Sequence, residues 1–444
     1  MSLNKAVEAF KQKALAPFHM PGHKGRPPYE AGDLFFSDIT EVAGADSLYQ
    51  ADGAIALLEQ EYARLYGSAA SLLSAGGSTL CIQTMLALVL GEGDGLVLSR
   101  TVHRATVAAM GLLGVHPIWV WPATAKKAGI PHQPLPVTPT QIEGALQANP
   151  KAAAVLVTSP DYSGQLCDLA AIARVCRSRG KPLLVDNAHG AHLAFLPQSL
   201  HPMRLGADLC CDSLHKTLPV LTGGAMLHIK DPALAPAAKQ VMALFGSTSP
   251  SYPVMISANR ALPYLQGPFS GELLHLCRQL ERLGQTAARR GFALPARPCD
   301  PMRLTLGYRG MGYSDDAFGQ IIRNCGIEPE YVAGGVCVLM ASPQNTGEDL
   351  ARLGELIALL PALPSLPYDP PLPGPLPVAM ELRQAMLAPR EALPNTPALA
   401  GRVAAVPFSV CPPGVPLAAP GEVLTPQALR ALEMSGAKTL CVVK

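Results

Sequence analysis

Between about residues 67 and 230 the apolar positions fall in short unbroken runs rather than in alternation. The runs are GLVLS (95–99), AAVLVTSP (153–160), PLLVDNAHG (182–190), ADLCCDSLHK (207–216) and GAMLHI (224–229). Runs of this length, apolar on both faces and separated by helical segments, predict strands of a mainly parallel sheet with helices on each side. Ligands of such sheets bind outside the carboxyl ends of the strands. The polar residues of these runs gather there: Thr158 and Ser159, Asp186, then Ser213, His215 and Lys216. Beyond about residue 265 the period changes. GELLHLCRQLERLGQTAARRG (271–291) has helical spacing and GVCVLMAS (335–342) reads as a strand, together a smaller α+β unit. The proline-dense PALPSLPYDPPLPGPLP (361–377) reads as an extended strap. The pattern thus divides the chain into 1–265, an N-terminal segment with a large domain; 266–364, a small α+β domain; and 365–444, a proline-rich linker with a C-terminal segment. At the start, MSLNKAVEAFKQKALAPF has the spacing of a short amphipathic helix stopped by Pro17.

Composition narrows the class. With 444 residues, 49% apolar and 15% charged, the chain can build large cores and is not disordered. A net charge of +2 without a basic cluster gives no basis for a nucleic-acid or anionic-membrane partner. The longest apolar run, around CIQTMLALVLGEG (81–93), is too short to span a bilayer. Eleven cysteines occur without a CxxC pair or Cys/His ligand spacing, so no metal is expected; the absence of a secretory pattern adds to an expected reducing cytoplasm.

The chemistry turns on DSLHKTLPVLTGG (212–224), where Lys216 ends an apolar run with no surface to reach. A desolvated lysine amine has a lowered pKa and attacks carbonyls, including the aldehyde of pyridoxal phosphate; a surface lysine at a strand end is the plainer alternative. Asp186 ends another buried run and needs a cation, for which a protonated pyridine nitrogen would serve. Its alternatives are a helix cap or a metal site with His189 and His192. In SAGGSTL (74–80), Gly76 and Gly77 allow a tight turn. Ser78 and Thr79 can cap the following helix, giving a phosphate site or an ordinary glycine-turn cap. His103 opens a helix after GLVLS, where its ring can stack on a cofactor or merely cap the helix. The four features recur in order, each at a strand's carboxyl end, and that ensemble separates the readings.

On these residues the chain resembles the ornithine/lysine/arginine decarboxylase family of fold-type-I pyridoxal-phosphate enzymes. The resemblance covers FHMPGHKG (18–25), DITEVAGADSL (38–48), GGSTLCIQTM (76–85), DNAHGAHLAF (186–195), DSLHKTLPVLTGGAMLH (212–228), STSPSYPVMISANRA (247–261) and CPPGVPLAAPGE (411–422). It implies an α/β aspartate-aminotransferase-like large domain with a smaller α+β domain, in the short form without a receiver-like wing. It further implies that Lys216 anchors the cofactor covalently, that Asp186 pairs with the pyridine nitrogen, and that His103 and Ala188 take the two ring faces. Gly77, Ser78, Thr79, Ser213 and His215 would hold the phosphate, with Ser249 of a second subunit completing it in a homodimer with shared sites. His189 would lie beside the substrate carboxylate or ring hydroxyl. The implied reaction is decarboxylation of arginine, lysine or ornithine to the amine, with arginine first and Asp38, Glu41 and Asp46 as candidate acids offered to its side chain across the dimer interface; capping turns and pairing with surface lysines is their plainer alternative. Other fold-type-I reactions stay open; an aminotransferase would need a carboxylate-clamping arginine, for which Arg303 and Arg309 are candidates, and a non-catalytic decarboxylase-like protein is a third reading. The chain departs from the family's usual acid at Asn187, Lys-Ser pair at Arg104 and Ala105, and acid and histidine at Ser47 and Tyr49.

Overall fold

The computed structural model describes residues 12–13, 15–24, 26, 28–30, 37–42, 45–125, 129–366, 374–410 and 415–444. The expected N-terminal helix, much of the proline strap and the start of CPPGVPLAAPGE therefore lie outside the described residues. A first short strand, β1 (Ala16–Phe18), precedes the main sheet. That sheet comprises β2 (Ala70–Ser74), β3 (Gly95–Ser99), β4 (His116–Val120), β5 (Ala154–Thr158), β6 (Leu183–Asp186), β7 (Leu209–Asp212) and β8 (Ala225–Ile229). The spatial order is β2-β8-β7-β6-β5-β3-β4; only β8 runs against the rest. The apolar runs thus mark the sheet as read, with corrections. GAMLHI is antiparallel, β2 and β4 carry too many small or polar residues to stand out, and the strands stop where backbone pairing stops. ADLCCDSLHK ends as a strand at Asp212, because Leu214–Thr217 closes a helical turn.

Helices cover both faces. The helix Gly77–Val89 packs beside β7 and β8 with Leu80, Ile82, Met85 and Leu86 in one apolar core, while Leu169–Ser178 buries Ile172, Ala173 and Cys176 in another. Packing apolar stripes against an apolar sheet removes both from water and is the main stabilising term. A three-stranded antiparallel sheet follows: β9 (Arg303–Gly307), β11 (Tyr331–Ala333) and β12 (Val336–Met340), in the order β11-β12-β9. Between β9 and β11 lies β10 (Ile327–Pro329), which pairs in parallel with β1, Ala16 against Ile327. One apolar core runs through these parts, from Ala16 and Phe18 through Tyr66, Leu214 and Phe269 to Leu360. The last segment has its own core, including Leu399, Ala404, Leu417, Leu429 and Val442, with β13 (Arg390–Pro394) paired to β16 (Thr439–Val443) and β14 (Phe408–Val410) to β15 (Val415–Ala418).

Candidate active site

Parallel strands put their carboxyl ends on one edge, and the polar residues converge there. Asp212 ends β7, Ser213 stays extended at φ −88°, and Leu214–Thr217 forms a single helical turn with Leu214 and Thr217 facing the core. Lys216 is thereby left half-buried and aimed at the next strand's end, its Nζ 3.1 Å from His189 Nε2. The other nitrogen of His189, Nδ1, lies 3.3 Å from Arg303 Nη2. A guanidinium only donates, so Nδ1 accepts, the ring proton sits on Nε2, and Nε2–H donates to the lone pair of an uncharged Lys216 amine. The electrostatics agree. Burial pushes the Lys216 pKa down against the pull of Asp186. Burial first, then charge at Lys216 and at Arg303, hold His189 well below the usual imidazole value, so a proton on Lys216 and an imidazolium at His189 oppose each other.

Asp186, at the end of β6, is buried. Its Oδ1 accepts the Ala188 N–H at 3.2 Å and lies 3.6 Å from the Cys211 thiol, and among the described residues no cation is paired with it. One strand over, Asp212 accepts from His201 Nε2 (3.0 Å), His228 Nε2 (3.2 Å) and Asn187 Nδ2 (2.6 Å). Burial alone would raise the Asp212 pKa, but the two imidazoles hold it well below the ordinary carboxylate value. His201 Nδ1 accepts the Met203 N–H and His228 Nδ1 accepts the Ser71 hydroxyl. Every imidazole nitrogen in this group, which Cys210 also borders, is thus partnered without an ion. His189 and His192 do not share a ligand group either, since His192 pairs with Asp300 at 2.7 Å.

The glycine turn is real but differs in detail. Gly76 is the cap of helix Gly77–Val89, so Ser78 and Thr79 sit within its first turn rather than capping it. Their backbone N–H groups have no acceptor one turn back, as at any helix start. Gly77 takes φ +68°, open space lies beyond its Cα, and its N–H donates to Gly223 O at 2.8 Å, tying this turn to the loop after Lys216. The Ser213 hydroxyl and Thr158 Oγ1 are buried without a hydrogen-bond partner. His215 keeps Nδ1 on Gly224 O at 3.0 Å. His103 caps helix Arg104–Leu113 by accepting the Ala105 N–H; its ring is exposed, and desolvation by the surrounding wall still lowers its pKa.

Three groups come to this cluster from distant sequence. Arg303 donates to the carbonyls of Asp161 and Tyr162 at 2.9 Å. Tyr162 sets its ring edge-on to His189 at 5.2 Å and donates its hydroxyl to Glu330 Oε1 at 2.6 Å. Glu330 also takes the Met20 N–H at 2.9 Å, and its charge reaches Lys216. Of the three, the sequence offered only Arg303, as a possible carboxylate clamp; β9 carries it here, and the β1–β10 pairing brings Glu330 to Met20. Arg309 instead pairs with Asp315 at 3.1 Å. Asp46 is spent on the backbone N–H groups of Ser47, Asp52, Gly53, Ile55 and Ala56, and Glu41 accepts from Ser47 Oγ, so neither meets this cluster within the chain. Ser249, on the exposed loop before helix Tyr252–Gln266, hydrogen-bonds through its N–H to Ser247 Oγ and does not join the cluster in its own chain.

Residues 2–288 match the family described as Orn/Lys/Arg decarboxylase, major domain. The chain belongs to that family. Its members are pyridoxal-phosphate-dependent carboxy-lyases acting on amino acids, and the chain is an enzyme of that kind. The chain is 29% identical to the uncharacterized protein YaaO of Bacillus subtilis (97% of this chain, 93% of the relative). It is 28% identical to an arginine decarboxylase of the same species (92% and 88%). Among solved structures, Escherichia coli constitutive lysine decarboxylase superposes with TM-score 0.72 at 19% identity (93% and 76%). Lysine decarboxylase A of Pseudomonas aeruginosa superposes with TM-score 0.73 at 18% identity (100% and 82%). Both show the fold. The decarboxylase edge also fits the family's cofactor on its own chemistry. It offers a desolvated amine, a buried carboxylate with no cation paired to it among the described residues, and an orphaned serine hydroxyl.

Proposed function

We propose that the enzyme decarboxylates a basic L-amino acid, arginine ahead of lysine and ornithine, with pyridoxal phosphate held by the residues above. The observation that carries the reading is the uncharged Lys216 amine beside His189, one strand from an unpaired Asp186 in a chain of this family. Lys216 would be the covalent anchor, Asp186 would keep the ring nitrogen protonated, and His103 and Ala188 would take the ring faces. Gly77, Ser78, Thr79, Ser213 and His215 would hold the phosphate. When bound, the cofactor supplies an electron sink for the carbanion left as CO2 departs. Lys216, carrying the proton that the incoming substrate ammonium gives up, would be the group to return a proton to Cα, with His189 holding its Nζ in place. The fork of Arg303 already serves two carbonyls and His189, which argues against a free carboxylate clamp and hence against aminotransfer. We assign Glu330, whose charge reaches Lys216, to the substrate's distal cation.

We further propose a homodimer in which Ser249 completes the partner's phosphate site, the three-part division of the chain given above, and a cytoplasmic setting in keeping with the ten free thiols among the described residues. Among those residues no helix is long and apolar enough to cross a membrane. The test is to follow both CO2 and keto acid from each amino acid with added cofactor. CO2 from arginine, lysine or ornithine is expected, and Glu330→Gln should cut kcat/KM by about tenfold through loss of a charge-assisted contact. Release only from an apolar or acidic amino acid would overturn the substrate, and keto acid without CO2 would overturn the reaction.

A further inference from the structure

Arg100 follows β3 and is fully buried, a costly place for a guanidinium unless every donor is met. The C-terminal segment meets three of its five. Nη1 and Nη2 donate to the two carboxylate oxygens of Glu422 at 2.8 and 2.7 Å, and Nε donates to Pro416 O at 2.8 Å. The guanidinium also lies 4.6 Å from the ring centres of Trp119 and Trp121, the chain's two tryptophans. Glu422 is itself fixed by the Ala419 N–H at 2.8 Å. Three residues beyond Arg100 stands His103, the cap of helix Arg104–Leu113. The same C-terminal segment grips that helix again on its flank: a Cβ on Gly111 would lie 2.3 Å from Met386 Sδ and 3.1 Å from Leu382. The remaining ion pairs of this contact, Arg383 with Glu92 and Glu381 with His116, are exposed and correspondingly weak.

We propose that Arg100 is a positioning residue through which the C-terminal segment, by Glu422, holds the His103 loop in its cofactor-ready place. A bidentate pair is rigid in direction as well as strong, and the backbone from Arg100 to the helix cap is too short to let His103 wander while the pair holds. Removing one partner leaves a buried charge unpaired, so the segment and the loop should separate together. The proposal rests on the cofactor reading above for what His103 does, not for the clamp itself.

The test uses the full-length holoenzyme with Glu422→Gln, Glu422→Asp as a second variant should the first fail to fold, and Arg383→Gln as a surface-pair control. If about one molecule in ten keeps the loop in place, the apparent Kd for pyridoxal phosphate rises about tenfold. Arg383→Gln should stay within about twofold, as expected of an exposed pair. In a His103→Ala background the Glu422 effect on Kd should vanish, because two changes acting through one group do not add. An equal rise in both backgrounds, or none in either, overturns the proposal. Amide exchange at residues 101–106 and tryptophan emission, read without cofactor, separate the two readings. Faster exchange with shifted emission supports the clamp even if the cofactor does not bind, whereas unchanged exchange overturns it. Failure of the unaltered protein to bind pyridoxal phosphate would overturn only the cofactor reading.

Discussion

At the scale of single residues, the site is decided by which atoms can donate. His189 lies between two side chains that both bring N–H groups, and only one arrangement satisfies all three: Arg303 donates, His189 relays, and Lys216 accepts as a free amine. Burial and the neighbouring Arg303 guanidinium both work against a charged Lys216 and so favour the free amine that attacks a carbonyl. Asp186 plays the opposite part, a carboxylate with two weak donors and, among the described residues, no paired cation. Replacing it by Asn keeps its shape and removes its charge. Asp186→Asn is expected to retain the cofactor through the phosphate contacts yet lose turnover by roughly a hundredfold or more, the scale of removing one preorganised electrostatic contact. Spectroscopic titration of cofactor together with CO2 release checks it; near-native turnover would count against the assignment.

At the scale of elements, the N-terminal strap is what locks the Lys216 turn to the small sheet. The strap pairs with β10 through β1, and Lys24 anchors it by donating to the carbonyls of His19 and Met340, its own pKa pushed down to about 7 by burial. At Gly22 the N–H donates to His215 O at 2.8 Å while the carbonyl accepts from Ser342 Oγ at 2.6 Å. A Cβ there would stand 2.7 Å from Leu218 O and Thr217 C, backbone atoms with no rotamer to yield. Gly22→Ala should therefore cost about 1–3 kcal/mol, as overpacking does, and should also slow covalent capture of the cofactor by Lys216. Thermal melting and borohydride trapping measure the two effects. A variant that melts and traps like the unaltered protein would show that the strap is not held there.

For the whole molecule, the question is whether one chain holds a complete site. Ser249 sits on an exposed loop with its N–H on Ser247 Oγ, and the proposed dimer brings it to the partner's phosphate site. Lys216→Ala removes the anchor and Ser249→Asp sets a like charge against the phosphate. Mixed and re-equilibrated, the two should form heterodimers with one intact site, giving roughly a quarter of native activity from two nearly inactive parents, as shared sites in a twofold dimer require. No gain on mixing would mean that each chain supplies its own site.

The sequence alone determined five of the seven strands of the main sheet and set the candidate residues at their ends. Apolar runs such as AVLVT and LLVD have one stable use, and the residues closing them, Thr158, Asp186 and Asp212, must then share an edge because parallel strands end together. Local pattern also marked the glycine turn and Lys216, since each depends on neighbours within a few positions. Only the tertiary structure decided the rest. Strand direction at β8 depends on pairing, not composition, and the five backbone N–H groups that Asp46 accepts within its own chain are presented only by the folded turn. Arg303, Tyr162 and Glu330 reach Lys216 from 54 to 114 positions away in the chain. They are joined by a β1–β10 pairing and an arginine fork whose partners are backbone carbonyls, and carbonyls leave no mark on a sequence.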